Sequence, residues 1–233
     1  MPAYQFALLV IGAYLLGSVP AAYIAGRLLK GIDIRKYGSG VSSGSNVWHS
    51  VSRWAIIPVG VFDVLKGAIP VAVAYPVLDF PMWAQAVVGL AAISGHSWSV
   101  FLGFSGGRGF ATMVGVLLIF APWELIIFTL LSLLLLFLIK VSPLSMLIAT
   151  AVMVISSIWL PNGPTVMSTD GLTRTWCLLG IMLLLILKRL LGEHAIPKQD
   201  WKRIMLYRFI LDRDTRNREA WIYRTPSGKG DKA

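Results

Sequence analysis

"WELIIFTLLSLLLLFLIK", Trp123 to Lys140, carries one acid near its start, one lysine at its end and nothing charged between them. Such a run reads as a helix crossing hydrocarbon, because about 20 apolar residues rising about 1.5 Å each span the ~30 Å of a bilayer core. Comparable blocks lie at 4–29, 53–77, 82–102, 109–121, 143–160 and 174–191. Together they predict an all-α fold, a polytopic transmembrane helix bundle of about seven spans. The block 109–121 is short, so five spans plus a re-entrant hairpin would satisfy the same parity. The first block is too long for a leader and no basic residue precedes it, so it is read as a true span.

Composition agrees. The chain has 233 residues, 56% of them hydrophobic and 14% charged, and a mean hydropathy of +0.72. No large soluble domain fits beside the bundle. The expected division is a transmembrane domain at 1–192 and a basic cytoplasmic tail at 193–233. The net charge of +10 matches the Lys and Arg excess of cytoplasmic membrane loops rather than a nucleic-acid surface. Cys177 is the single cysteine, so no internal disulfide forms, and no metal-ligand spacing is present.

Charge also orients the bundle. Arg27, Lys30, Arg35 and Lys36 follow the first block, Arg108 the third and Lys140 the fifth, and the tail is strongly basic. The loops near Asp79, Glu124 and Pro161–Thr173 carry almost no positive charge. This places the N-terminus outside and the C-terminus in the cytoplasm. The Gly/Ser-rich loops then share the cytoplasmic face, where a site can take one substrate from the membrane and one from the cytosol.

Loop two, "GFSGGRGFAT" (Gly103–Thr112), combines Gly106, Gly107 and Gly109 with Arg108 just before a helix. Close backbone approach, a permanent cation and a helix start all suit a phosphate; a flexible turn obeying the charge rule would look the same. Loop one, Gly31–Arg53, holds Ser39, Ser45, Asn46 and His49, which suit phosphate or glycerol oxygens but are also turn formers. Asp63 and Lys66 share one face of an apolar helix, as an ion pair pinning helices or as part of a site. His96 lies just before loop two. In the tail, Trp201–Leu211 has near-helical apolar spacing and reads as an amphipathic helix on the anionic leaflet.

Four blocks, "GSVPAAYIAG" (Gly17–Gly26), "GIDIRKYGSG" (Gly31–Gly40), "DVLKGAIPV" (Asp63–Val71) and "GHSWSVFLGFSGGRGFATMVGV" (Gly95–Val116), together resemble the bacterial acyl-phosphate:glycerol-3-phosphate acyltransferases. The resemblance implies a multi-pass enzyme of the bacterial inner membrane with a cytoplasmic active face. Such an enzyme moves a fatty acyl group from acyl phosphate to glycerol 3-phosphate, giving lysophosphatidic acid for phospholipid biosynthesis. It implies no metal and no organic cofactor. Membrane lipids and an acyl-phosphate-producing enzyme are the candidate partners, and nucleic acid is not.

By the same resemblance, Ser39, Asn46 and His49 are the candidate catalytic residues. Gly40, Ser45, His96, Gly106, Gly107, Arg108, Gly109, Thr112, Arg189 and Glu193 are the candidate substrate- and phosphate-binding residues. The chain departs from the family pattern at His49, where an arginine is expected, at Ser105, where a lysine is expected, and at Ile186, where an asparagine is expected. These departures leave open a family member with another acceptor, or a non-catalytic protein binding lipid or a partner.

Overall fold

The structure, a computed structural model, describes residues 1–159, 171–192 and 198–225. Among these the regular structure is helical, apart from an isolated bridge between Ser99 and Ser105. The first apolar block, expected as one helix, is two: α1 (Ala3–Ser18) and α2 (Ala21–Lys30). Pro20 causes the break. It has no N–H to donate and disfavours helical backbone at Val19, which is extended at φ −59°, ψ 116°. Loop one, read as irregular, contains the short α3 (Gly44–Ser50).

The remaining blocks fold close to expectation. They are α4 (Ile56–Ala72), prolonged by one wider turn over Val73–Val77, then α5 (Met82–Ser97), α6 (Phe110–Phe120), α7 (Pro122–Ile139), α8 (Ser142–Trp159) and α9 (Gly171–Leu191). In the tail lie α10 (Trp201–Leu211) and α11 (Arg218–Ile222). Among the described residues three segments are long and apolar enough to cross a membrane, Ala3–Lys30, Ile56–Val77 and Pro122–Ile139, and Phe110–Phe120 and Ser142–Ile158 are shorter apolar helices.

Two helix pairs are fitted together by reciprocal glycines. In α1 and α5, a Cβ on Gly17 would strike the carbonyl oxygen of Ala92, and one on Gly95 would strike that of Tyr14. In α4 and α6, Gly67 lies against the carbonyl of Thr112 and Gly115 against that of Val64. Lipid tails are as apolar as leucine, so helices in a bilayer associate through close backbone packing of this kind. The paired helices surround a core that includes Val88, Ile93, Met113, Leu117, Leu178 and Ile181. Outward-facing leucines and phenylalanines, such as Phe137 at 78% exposed, give α7 a surface suited to hydrocarbon. A smaller cluster of Ala22, Ile34, Val47, Val51, Ala55 and Val59 lies under loop one.

Candidate active site

Loop one is held by two polar residues. Asp33 pairs with Arg35 at 2.8 Å, and Arg35 reaches on to the Leu102 carbonyl and the Ser105 hydroxyl at 3.2 Å each, joining loop one to loop two. Hydrogen bonding from Arg35 holds the Asp33 carboxyl below the usual carboxylate range. Asn46 donates its amide to the carbonyls of Ile34, Tyr37 and Val41, each at 3.0 Å, and accepts from Ser50 at 2.9 Å. Two amide hydrogens shared among three carbonyls leave no spare donor, so this side chain shapes the loop. The same bonds explain why the local sequence does not reveal α3: its support lies across the loop.

Loop two folds onto His96. Gly107 donates its N–H to the His96 carbonyl at 3.0 Å. A Cβ on Gly106 would meet that carbonyl, and one on Gly107 would meet the imidazole Nε2. These glycines therefore serve close packing on His96, and the Gly107 amide expected to face an anion is already bonded. Gly109 has φ +85° and turns the chain into α6. Arg108 sets its Nε 3.0 Å from the Asp212 carboxylate, donates Nη1 to the Lys188 carbonyl at 3.3 Å, and has Nη2 3.5 Å from the Asp212 carbonyl.

The expected pair in α4 forms. Lys66 Nζ is 2.8 Å from Asp63, both almost fully buried, and donates to the Val19 carbonyl at 3.0 Å. That carbonyl belongs to the C-terminal end of α1, where the Pro20 break leaves acceptors open and a cation is favourable. His96 Nδ1 lies 3.6 Å from the same carboxylate.

Around these elements opens a cleft of about 610 Å³. Ser39, Ser45, Asn46, His49, Asp63, His96, Arg108, Gly109 and Arg189 all line it, from loop one, α4, α5, loop two and α9. Gly106, Gly107 and Lys66 line a small adjoining cavity that shares Asp63 and His96 with the cleft. Gly40 and Thr112 line neither; Thr112 is fully buried, with its carbonyl against Gly67. Glu193 lies outside the described residues. Arg189 is buried, donates to the carbonyls of Pro143 at 2.9 Å and Phe209 at 3.3 Å, and stacks over Phe110. Ile56, Leu136, Val141, Met146 and Leu211 give the cleft an apolar side.

Several lining residues escaped the sequence reading: Lys140, Asp212, Arg213, Arg218 and Trp221. The tail that carries the last four folds back on the bundle. Arg208 is buried and donates to the carbonyls of Leu190 and Leu191 at 3.0 and 2.8 Å, capping α9, and it also binds Asp214. Gly38 donates its N–H to the Arg224 carbonyl at 2.9 Å. So α10 forms where the apolar spacing placed it, but the tail adds to it a wall of the cleft. The alternation of charge and bulk in this segment was the available signal, and it fits a tail packed on protein as well as one packed on lipid. Beside that wall, His49 is pushed below its ordinary value, first by burial and then by the charges of Arg218 and Arg53, so it is neutral at pH 7.

Known proteins match this arrangement. The model of the family described as glycerol-3-phosphate acyltransferase matches residues 7–193. "Glycerol-3-phosphate acyltransferase 4" of Dehalococcoides mccartyi (strain CBDB1) is 38% identical over 221 residues, covering 94% of each chain, so that similarity runs past residue 193 into the tail. A second protein of that species (strain ATCC BAA-2266 / KCTC 15142 / 195), "Glycerol-3-phosphate acyltransferase 5", is 35% identical over 94% of this chain and 93% of its own. Among solved structures, PlsY (YgiH), described as an integral membrane glycerol 3-phosphate acyltransferase, in its glycerol 3-phosphate form superposes with a TM-score of 0.69. It is 30% identical, and the match covers 84% of this chain and 98% of that one. The bundle, the loop-lined cleft and near-full-length similarity agree: the chain belongs to the glycerol-3-phosphate acyltransferase family.

Proposed function

We propose that the cleft transfers a fatty acyl group from acyl phosphate to the 1-hydroxyl of glycerol 3-phosphate, releasing lysophosphatidic acid and inorganic phosphate. The observation that carries this reading is a lining that is both polar and apolar. Serine hydroxyls and guanidinium groups form its polar lining, and Leu136, Val141 and Met146, on or just after the lipid-facing α7, are among its apolar lining. A phosphate and a glycerol suit the first surface, and an acyl chain suits the second. The related PlsY structures are a glycerol 3-phosphate form and a lysophosphatidic acid form, one for each stage of such a reaction.

The chemistry needs little acid–base assistance, because acyl phosphate is an activated mixed anhydride. The acceptor oxygen bonds to the acyl carbonyl carbon, the bond from that carbon to the phosphate oxygen breaks, and the phosphate leaves with the electron pair. The hydroxyl proton goes to the departing phosphate. Ser39, Ser45 and neutral His49 orient the acceptor. Asn46 and Gly40 fix the loop that presents them. Arg108, Arg189 and the start of α6 at Gly109 supply the positive field for the phosphates. His96 and Asp63 border both the cleft and the small cavity beside it, with Gly106, Gly107 and Lys66 lining that cavity and Thr112 packed on α4, and Glu193, two residues past α9 in the sequence, adds an acid. Positioning of two bound reactants contributes much of the acceleration.

In topology, seven spans with the N-terminus outside put the cleft and the basic segments around it on the cytoplasmic side of a bacterial inner membrane, within reach of phosphorylated substrates from the cytosol. Residues 1–192 form the membrane domain and 193–233 the cytoplasmic tail. The test is acyl transfer by purified protein in lipid nanodiscs, with acyl phosphate supplied with and without glycerol 3-phosphate. Lysophosphatidic acid formed only with both substrates is the expected result. Acyl phosphate consumed with a different acceptor alone would overturn the acceptor assignment, and no turnover by folded protein would overturn the enzyme.

A further inference from the structure

Four guanidinium groups line the cleft, and they differ in what they are free to do. Arg108 has all three nitrogens facing protein oxygens. Arg189 has both terminal nitrogens donated to carbonyls and keeps only its buried Nε without an acceptor. Arg213, half-buried, and Arg218, exposed at the rim, by contrast make no hydrogen bond or ion pair among the described residues, and Nε of Arg213 is buried without an acceptor. A buried cationic donor left unmet is costly, and such atoms in folded proteins call for a ligand.

We propose that the C-terminal tail completes the phosphate-binding half of the cleft, with Arg213 and Arg218 gripping the phosphate of a phosphorylated substrate while Asp212 docks the tail on Arg108. This rests on the reading of the cleft as an acyltransferase site. Three further observations support it. The two guanidinium groups are near enough to repel each other. Burial and then the charge of Arg218 hold Arg213 below its ordinary value, and an anion placed between them would cancel that repulsion. The tail is anchored on three sides, at Arg108 through Asp212, at α9 through Arg208 and at loop one through Gly38 and Arg224, so the arginines sit on a fixed body. Loop one offers no competing cation at His49, which is held neutral. The binding surface therefore extends past residue 193, where the match to the family model ends.

The phosphate could be that of the acceptor or that of the donor, and both present the same anionic oxygens. The test uses full-length protein in nanodiscs, with Arg213→Gln, Arg218→Gln and the double variant. Arg203→Gln, which removes an exposed charge on α10 paired only with Asp200, is the control for net charge. Steady-state transfer is measured with each substrate varied in turn, and glycerol 3-phosphate and inorganic phosphate are titrated by calorimetry without donor. The double variant should raise KM for one phosphorylated substrate roughly 10- to 100-fold, as expected for losing charge-assisted phosphate contacts, with a smaller change in kcat. Arg203→Gln should change neither. A rise confined to glycerol 3-phosphate assigns the acceptor phosphate, and one confined to acyl phosphate assigns the donor.

Unchanged KM for both substrates and unchanged phosphate titration in the folded double variant overturn the proposal, and turnover by the parent protein in that assay leaves the function standing. A parent protein that binds inorganic phosphate through these two arginines but transfers no acyl group keeps the phosphate site and loses the enzyme. Should the double variant fold poorly, the parent chain decides alone. Phenylglyoxal should modify Arg213 and Arg218, and inorganic phosphate should protect both while leaving Arg203 reactive, read by peptide mass. Protection by anionic vesicles and not by phosphate would make the tail a lipid contact and sink the idea.

Discussion

Two buried ion pairs, Glu124–Arg174 and Asp63–Lys66, keep different company. At the start of α7, Glu124 meets Arg174 of α9 at 3.0 Å, each only 1% exposed. About 27 Å away along a helix of 18 residues, Lys140 borders the cleft into which Asp63 of the second pair faces. The Glu124–Arg174 pair joins two helix starts and borders neither of the two cavities described above. The Asp63–Lys66 pair has His96 beside it, lends its lysine to the broken end of α1 and lines open space. Ionisable groups in a membrane interior are costly in either place. What separates a latch from a site is the solvent-sized volume beside the charges and a further titratable group within reach.

Substitution should separate these roles. The largest effect is expected from Asp63→Ala, which strands Lys66 in the interior. Breaking one partner of a buried pair costs about 3–5 kcal/mol, and transfer activity per folded molecule should also fall at least about tenfold because His96 and loop two lose their neighbour. A melt with activity measured on the folded fraction checks both. If activity per folded molecule is untouched, the pair is a latch like the other.

Glu124→Ala should lose a similar amount of stability, about 3–5 kcal/mol, yet keep kcat and KM once equal amounts of folded protein are compared. Replacing both partners, as Glu124→Leu with Arg174→Met, should recover much of that stability, because an apolar pair leaves no stranded charge. Failure of the double replacement to recover stability would mean Arg174 carries more than the pair.

Arg108→Ala comes next. It removes the ion pair that docks Asp212 and the donor to the Lys188 carbonyl, and KM for phosphorylated substrate should rise roughly tenfold, about 1.4 kcal/mol. Asp212→Asn should move KM in the same direction by less, because the carbonyl contact to Arg108 remains. Steady-state kinetics on both variants tests this order, and a lowered KM in Asp212→Asn would mean the carboxylate competes with substrate.

The smallest effect concerns pH. His49 is held below its ordinary 6.5, with burial the first cause, so the folded protein binds fewer protons there than the unfolded chain. Its contribution to stability is complete above pH 6.5 and declines as pH falls from that value toward the lower folded pKa. His49→Gln should flatten this part of the stability profile, measured by denaturant titration across the same range. A parent profile that rises on acidification would reverse the sign.

The apolar helices were legible because each is written locally. The apolar run near 123–140 became α7 almost to the residue, and the block 82–102, broken by Gln85 and by the serines and histidine of its second half, became an α5 that ends at Ser97. Loop two was legible as a turn before a helix, but whether its glycines face an anion was not, and in the fold Gly106 and Gly107 pack on His96. The break in the first block turned on a single proline within an otherwise continuous apolar run, and hydropathy averages over it.

Sequence alone determined an all-helical membrane protein, the positions of most of its apolar helices and the family to which the chain belongs, because hydrophobic run length and short motifs are properties of neighbouring residues. Only the tertiary structure decided what the motif residues are free to do. Asn46 spends its amide on three carbonyls of its own loop, and Gly107 gives its N–H to His96. Arg108 is taken up by Asp212, a partner 104 residues along the chain, which leaves Arg213 and Arg218 as the uncommitted guanidinium groups in the cleft among the described residues. Hydrogen bonds and ion pairs are satisfied by proximity in space, and a charge pattern gives no account of which distant atoms arrive first.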